Sequence, residues 1–137
     1  MATLSAFLHP VSANQEKEVI ISTRFQDEQG NPVPFVIRAL SQEENEKLIK
    51  RCTRKERANG QVISTLDEVT YTHQLILASV KSPDFTQKDI CDAYGVVDPT
   101  LVPSKMLLTG EYSRLAAAIR DISGFEDPEA IGAEAKN

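Results

Sequence analysis

Near the start of the chain two stretches alternate with a period of two: Val19, Ile21, Thr23 and Phe25, then Val33, Phe35, Ile37 and Ala39. That period puts each set on one face of a strand. Between them Asp27-Glu28-Gln29-Gly30-Asn31-Pro32 is rich in residues that accept turn geometry, so the pair reads as an antiparallel hairpin. Downstream the period lengthens. Ser41-Gln42-Glu43-Glu44 has capping-box spacing and opens a helix expected to run to about Arg57, with Asn59-Gly60 ending it. Its apolar stripe is thin: Leu48, Ile49 and Cys52. Thr65-Leu66-Asp67-Glu68 reads as a second capping box. The helix it opens places Leu66, Val69, His73, Ile76, Leu77 and Val80 on one face, flanked by Tyr71, Leu75 and Ala78, and stops at Ser82-Pro83. Thr86 starts a short helix through Ile90, Cys91 and Tyr94 that closes at Gly95. Asp98-Pro99 and Pro103 predict an irregular stretch. Thr109 then caps a last helix whose Tyr112, Leu115, Ala116, Ile119 and Ile122 share a face, and Gly124 ends it.

The fold class is therefore α+β: an N-terminal antiparallel β-hairpin packed against about four α-helices, since a lone hairpin is marginal in water and needs a cover. The 137 residues suffice for one core. We expect a single domain over 1–125. Within it 1–17 is a loose lead-in that Leu4, Phe7 and Leu8 could anchor as a helical turn. Residues 126–137 form an acidic, flexible tail carrying Glu126, Asp127, Glu129 and Glu134 against Lys136.

Composition narrows the function. A hydrophobic fraction of 41% with 26% charged residues fits a globular protein. The absence of Trp, with 6% aromatics, argues against a large aromatic binding platform. A net charge of −5 argues against a domain whose main task is holding nucleic acid. No apolar run approaches the ~18 residues of a membrane span, and the first ten residues lack the basic region of a signal peptide. The expected setting is the cytoplasm, where Cys52 and Cys91, far apart and outside any CxxC pattern, read as buried thiols.

Candidate chemistry is sparse. His73 has Val69 and Leu77 at i±4 and so lacks neighbouring ligands; it reads as a core or interface histidine bonded to backbone, and His9 carries less signal still. The glycines are scattered and form no phosphate cradle. No enzyme, metal or cofactor is expected. The basic run Lys47, Lys50, Arg51, Arg54, Lys55 and Arg57 suggests an electrostatic contact, chiefly through Lys50, Arg51, Arg54, Lys55 and Arg57. Its competing readings are phosphate contact, cations favoured at a helix C-terminus, and an acidic partner such as the tail of a neighbouring copy. Thr86–Ser104 has helix-turn-helix spacing at Ile90, Tyr94, Gly95, Val96 and Leu101, but Pro99 and Pro103 fall in the would-be recognition helix. A proline inside that helix costs ~3 kcal/mol.

The hairpin V-I-I-S-T-R-F … P-F-V-I-R-A-L, the S-x-x-E and T-L-D-E helix starts, and above all L-L-T-G-E-Y-S-R-L-A-A-A-I-R-D-I-S-G-F resemble the XkdN-like family of phage tail assembly chaperones over most of the chain. The resemblance implies a non-catalytic protein of the host bacterial cytoplasm. It would bind the tape measure protein, keep it soluble while tube subunits polymerise around it, and be absent from the mature virion. It carries over no catalytic or metal residue. The residues expected to bind the partner or a second copy are Tyr112, Leu115, Ile119 and Ile122, or Leu66, Val69, His73 and Ile76. Self-association is expected because a two-stranded hairpin leaves open edges. Related chaperones are often made in two lengths by a −1 frameshift, the longer form recruiting tail tube protein. Ala135-Lys136-Asn137 can be encoded by the slippery run A-AAA-AAC, so the shorter product is expected here. The alternatives are a small prophage DNA-binding regulator and a structural tail component retained in the particle.

Overall fold

The strand at the centre of the main sheet is Phe35–Arg38 (β2), and the alternation of its side chains explains its place: Phe35 and Ile37 are buried while Val36 and Arg38 are half-buried. In this computed structural model, which describes residues 3–11 and 16–124, β2 pairs antiparallel with Glu16–Val19 (β1), Glu16 opposite Arg38 and Val19 opposite Phe35. On its other side it pairs antiparallel with Val80–Ser82 (β5), giving the order β1-β2-β5. The expected hairpin is present, but its first strand lies earlier than the alternation implied. Ile21, Thr23 and Phe25 fall in the connection, which is closed by an isolated bridge between Gln26 and Pro32 and by the Val33 N–H donating to the Phe25 carbonyl at 2.7 Å. Ile21 is buried all the same, because side chains below the loop, not strand pairing, pull it inward.

Helix Gln42–Cys52 (α2) begins at the predicted capping box: the Glu44 N–H donates to the Ser41 hydroxyl and the Ser41 N–H to the Glu44 carboxylate, both at 3.1 Å. It ends at Cys52 and not near Arg57. Thr53–Ala58 is strand β3, and Gln61–Leu66 returns antiparallel as β4, with Arg57 opposite Val62. Two causes act together. Residues 54–57 have no apolar stripe to hold a helix against the core. Asn59 and Gly60 also adopt φ of +54° and +78°, the two positive values that a tight hairpin turn requires.

Helix Glu68–Ser79 (α3) is capped by Asp67, whose carboxylate accepts the Thr70 N–H at 3.2 Å and the Thr70 hydroxyl at 2.9 Å. Thr65 is not the cap. The buried face is correspondingly rotated from the predicted one: Tyr71, Leu75, Ile76 and Ser79 face inward, and Val69 is 67% exposed. After Lys88–Ala93 (α4), closed at Gly95 with φ +67°, the proline-bearing stretch is more regular than expected. A 3-10 turn at Pro99–Leu101 leads into Val102–Met106 (α5). Pro103 sits in the first turn of α5, where its missing N–H costs nothing. Thr109–Ile122 (α6) is preceded by Leu108 at the cap position, where the Leu108 N–H donates to the Glu111 carboxylate at 2.8 Å.

Helix α6 crosses α3 and the β1–β2 side of the sheet, and α2 packs on α3. The core between them holds Ile21, Phe35, Ile37, Leu48, Leu75, Ile76, Phe85, Val102, Leu115 and Ile119. Cys52 and Cys91 are buried and free. Leu4–Leu8 (α1) forms the predicted helical turn but is not anchored: Leu4, Phe7 and Leu8 are all exposed. The acidic tail at 126–137 lies outside the described residues.

Candidate partner-binding groove

Where α3 passes α6, the first turns of the two helices and the end of α5 leave an open groove of about 410 Å³. Val69 and His73 come from α3, Ser104 and Leu107 from the α5 region, and Thr109, Tyr112 and Ser113 from α6. Leu107 is buried while Val69 stands exposed. His73 Nε2 lies 2.9 Å from the Ser104 hydroxyl, a side-chain partner where the sequence suggested backbone. Its ring meets Tyr112 edge-on at 6.0 Å between centroids. The Tyr112 hydroxyl is buried with no hydrogen-bond partner among the described residues, and burial pushes its pKa above the ordinary value.

The predicted binding residues therefore divide. Tyr112, Val69 and His73 converge on the groove. Leu115, Ile119 and Ile76 do not reach the surface; they are core. Leu66 is half-buried at the root of the β3–β4 hairpin, and Ile122 is half-buried at the far end of α6. Sequence reasoning missed Ser104 and Leu107, which sit in a stretch read as irregular.

The basic run is also divided. Lys50 and Arg51 occupy the last turn of α2, where the helix dipole favours them. Arg54, Lys55 and Arg57 project from the exposed β3 strand, where that explanation fails. Arg51 donates to the Gln74 side chain at 3.1 Å. Among the described residues Lys50, Arg54, Lys55 and Arg57 form no ion pair.

Two carboxylates have strongly displaced pKa values, and arginines explain both. Arg24 grips Glu111 through two hydrogen bonds, the one from Nε at 3.0 Å, and also donates to the Met106 carbonyl at 3.2 Å. The Arg24 hydrogen bond holds Glu111 at about 2, with Ser22 and the Leu108 N–H assisting. Arg38 likewise holds Glu44 at about 2, through bonds of 3.1 and 2.5 Å and with the Ser41 N–H assisting. Carboxylates clamped in the ionised form do not shuttle protons near neutrality. Among the described residues no group of three or more His, Cys, Asp and Glu is arranged to hold a metal, and no helix is long and apolar enough to cross a membrane. The would-be recognition helix is the five-residue α5, with Val102, Pro103 and Met106 buried, so it presents no rod to a DNA groove.

The family model described as phage XkdN-like tail assembly chaperone protein matches residues 4–136. The chain is 34% identical over 126 residues to protein XkdN of the phage-like element PBSX of Bacillus subtilis (strain 168), covering 90% of this chain and 85% of that one. It is 32% identical over 126 residues, with the same coverage, to YqbN, an uncharacterised protein of the same strain. The crystal structure of the protein YqbN matches with a TM-score of 0.72 at 28% identity, over 88% of this chain and 96% of that one. An α+β fold shared with YqbN, and sequence similarity along nearly the whole chain, place this protein in the XkdN-like family of phage tail assembly chaperones.

Proposed function

We propose that the chain acts without catalysis, holding an apolar helical segment of a phage tape measure protein in the α3–α6 groove while the tail is assembled in the host cytoplasm. The observation that carries this reading is the groove itself: an open concavity with Val69, Leu107 and Tyr112 on its walls, in a protein of net charge −5. An amphipathic helix lays its apolar face into such a groove, while the acidic exterior keeps the complex dissolved. A long helical protein with apolar flanks aggregates unless those flanks are covered. Membership of a chaperone family supports the same role.

The test is co-expression of the tagged chain with the genes downstream of its own, followed by mass spectrometry of what co-purifies. The expected result is a very long helical protein that stays soluble only in the presence of this chain. Recovery of the chain alone overturns the reading, and its detection in purified virions assigns it to the particle instead. A longer form of this chain recovered together with tail tube protein adds the frameshifted product to the proposal.

A further inference from the structure

Beyond its half-buried root at Thr53 and Leu66, the β3–β4 hairpin is an arm that covers nothing and is covered by nothing among the described residues. From Arg54 to Thr65 every residue is exposed, and Val62 and Ile63 keep 62% and 46% of their surface in solvent. A two-stranded hairpin with two solvated faces is marginal on its own. Its charge is also opposite to that of the remainder. Residues 50–66 hold five cations and one acid, a net +4, so the rest of the chain carries −9 out of the total −5.

Among the described residues a second edge is unfinished. β1 is the outer strand of the order β1-β2-β5, and Glu16, Lys17 and Glu18 are all exposed. The charges along the two edges alternate in opposite sense: Glu16-Lys17-Glu18 on β1, Lys55-Glu56-Arg57 on β3. Laid antiparallel, Glu16 faces Arg57, Lys17 faces Glu56 and Glu18 faces Lys55, three opposite-charge pairs in a row. Val19 then meets the aliphatic stem of Arg54. Opposite charges across strands attract and like charges repel. In-register pairing of β1 with another β1 would set Glu16 against Glu18, and β3 with another β3 would set Lys55 against Arg57. Each edge is thus closed to its own kind and open to the other.

We propose that β3 of one copy adds to the outer edge of β1 in a second copy of this chain. Backbone hydrogen bonds supply the attachment, and the alternating charges supply the register. Glu16 already holds Lys81 of its own sheet at 2.8 Å, and this exposed pair yields one carboxylate oxygen to the incoming Arg57. The contact joins two different patches, so it closes as a reciprocal exchange of arms between two copies or a larger ring, or propagates as an open filament. A nucleic-acid role for the arm fits less well, because Glu56 stands between its cations and the rest of the molecule repels phosphate.

Sedimentation velocity of the full chain over a concentration series, at low and high salt, reads the association. The wild type is expected to self-associate, more weakly at high salt. An arm variant, Lys55→Glu with Arg57→Glu, and an edge variant, Glu16→Lys with Glu18→Lys, are each expected to weaken it by about tenfold or more. An equimolar mixture of the two restores association, because the reversed arm fits the reversed edge. As an independent readout, Glu18→Cys mixed with Lys55→Cys is expected to form a disulfide-linked dimer that neither protein forms alone. A wild type that stays monomeric overturns the proposal. So does association untouched by either reversal, or a mixture that rescues nothing and yields no cross-link. A monomer that shifts duplex DNA at low salt reassigns the arm to nucleic acid.

Discussion

Glu111 shows how one side chain ties distant parts of this chain together. It satisfies the Leu108 N–H at the start of α6 and receives Arg24 from the loop after β1, and Arg24 in turn lies 5.1 Å from the centre of the Phe25 ring. The carboxylate is held at about 2, below its ordinary 4.5. The folded state therefore binds that proton more weakly than the unfolded chain does. The resulting stabilisation is fully present above pH 4.5 and is lost as the pH falls from there toward 2. Glu44, held by Arg38, adds to the same window with the same sign. Urea denaturation midpoints are accordingly expected to fall steeply across this range. Glu111→Gln should lower the midpoint at neutral pH and make the acid decline shallower. An unchanged acid slope in that variant would sink the assignment.

The arm formed by β3 and β4 shows where local reasoning stops. The capping box at Ser41 and the positive-φ glycines at Gly95 and Gly124 were legible, because such hydrogen-bonding motifs are written in adjacent residues. Asn59-Gly60 was equally visible, but it is both a helix stop and a hairpin turn. What decides between them is the missing apolar stripe over residues 54–57. β5 has no local signal: three residues become a strand only because β2 lies beside them. The Gly60 turn offers a test confined to the arm. No atom lies within 4 Å of an added Cβ there, so a side chain meets only the backbone cost of φ +78°, about 1–2 kcal/mol. Gly60→Val is expected to speed amide exchange at Glu56 and Ile63, a directly paired couple of the two strands, while leaving protection in α3 and α6 unchanged. Loss of core protection as well would mean that the arm is part of the cooperative fold.

At the scale of the whole molecule, the question is which apolar residues hold the fold and which are free to hold something else. The periodicity of α6 presented Tyr112, Leu115, Ile119 and Ile122 as one stripe, and nothing in a sequence divides a stripe into core and surface. Packing against α3 makes that division: Leu115 and Ile119 are sealed, and Tyr112 is left on the groove beside Val69. Folding and the proposed partner binding are therefore expected to separate by mutation. Ile119→Ala empties a fully buried site and is expected to cost about 2–5 kcal/mol of stability, with binding lost only as far as the fold is lost. Val69→Asp does the reverse. Its site is exposed and lies in the first turn of α3, where a carboxylate is favoured by the helix dipole, so the melting temperature should hold. The same charge stands on the wall of the groove, where an apolar helix would have to desolvate it. Thermal melts paired with co-purification of the long helical partner read both variants. A Val69→Asp protein that melts like the wild type and still carries its partner in full would show that binding occurs somewhere other than the α3–α6 groove.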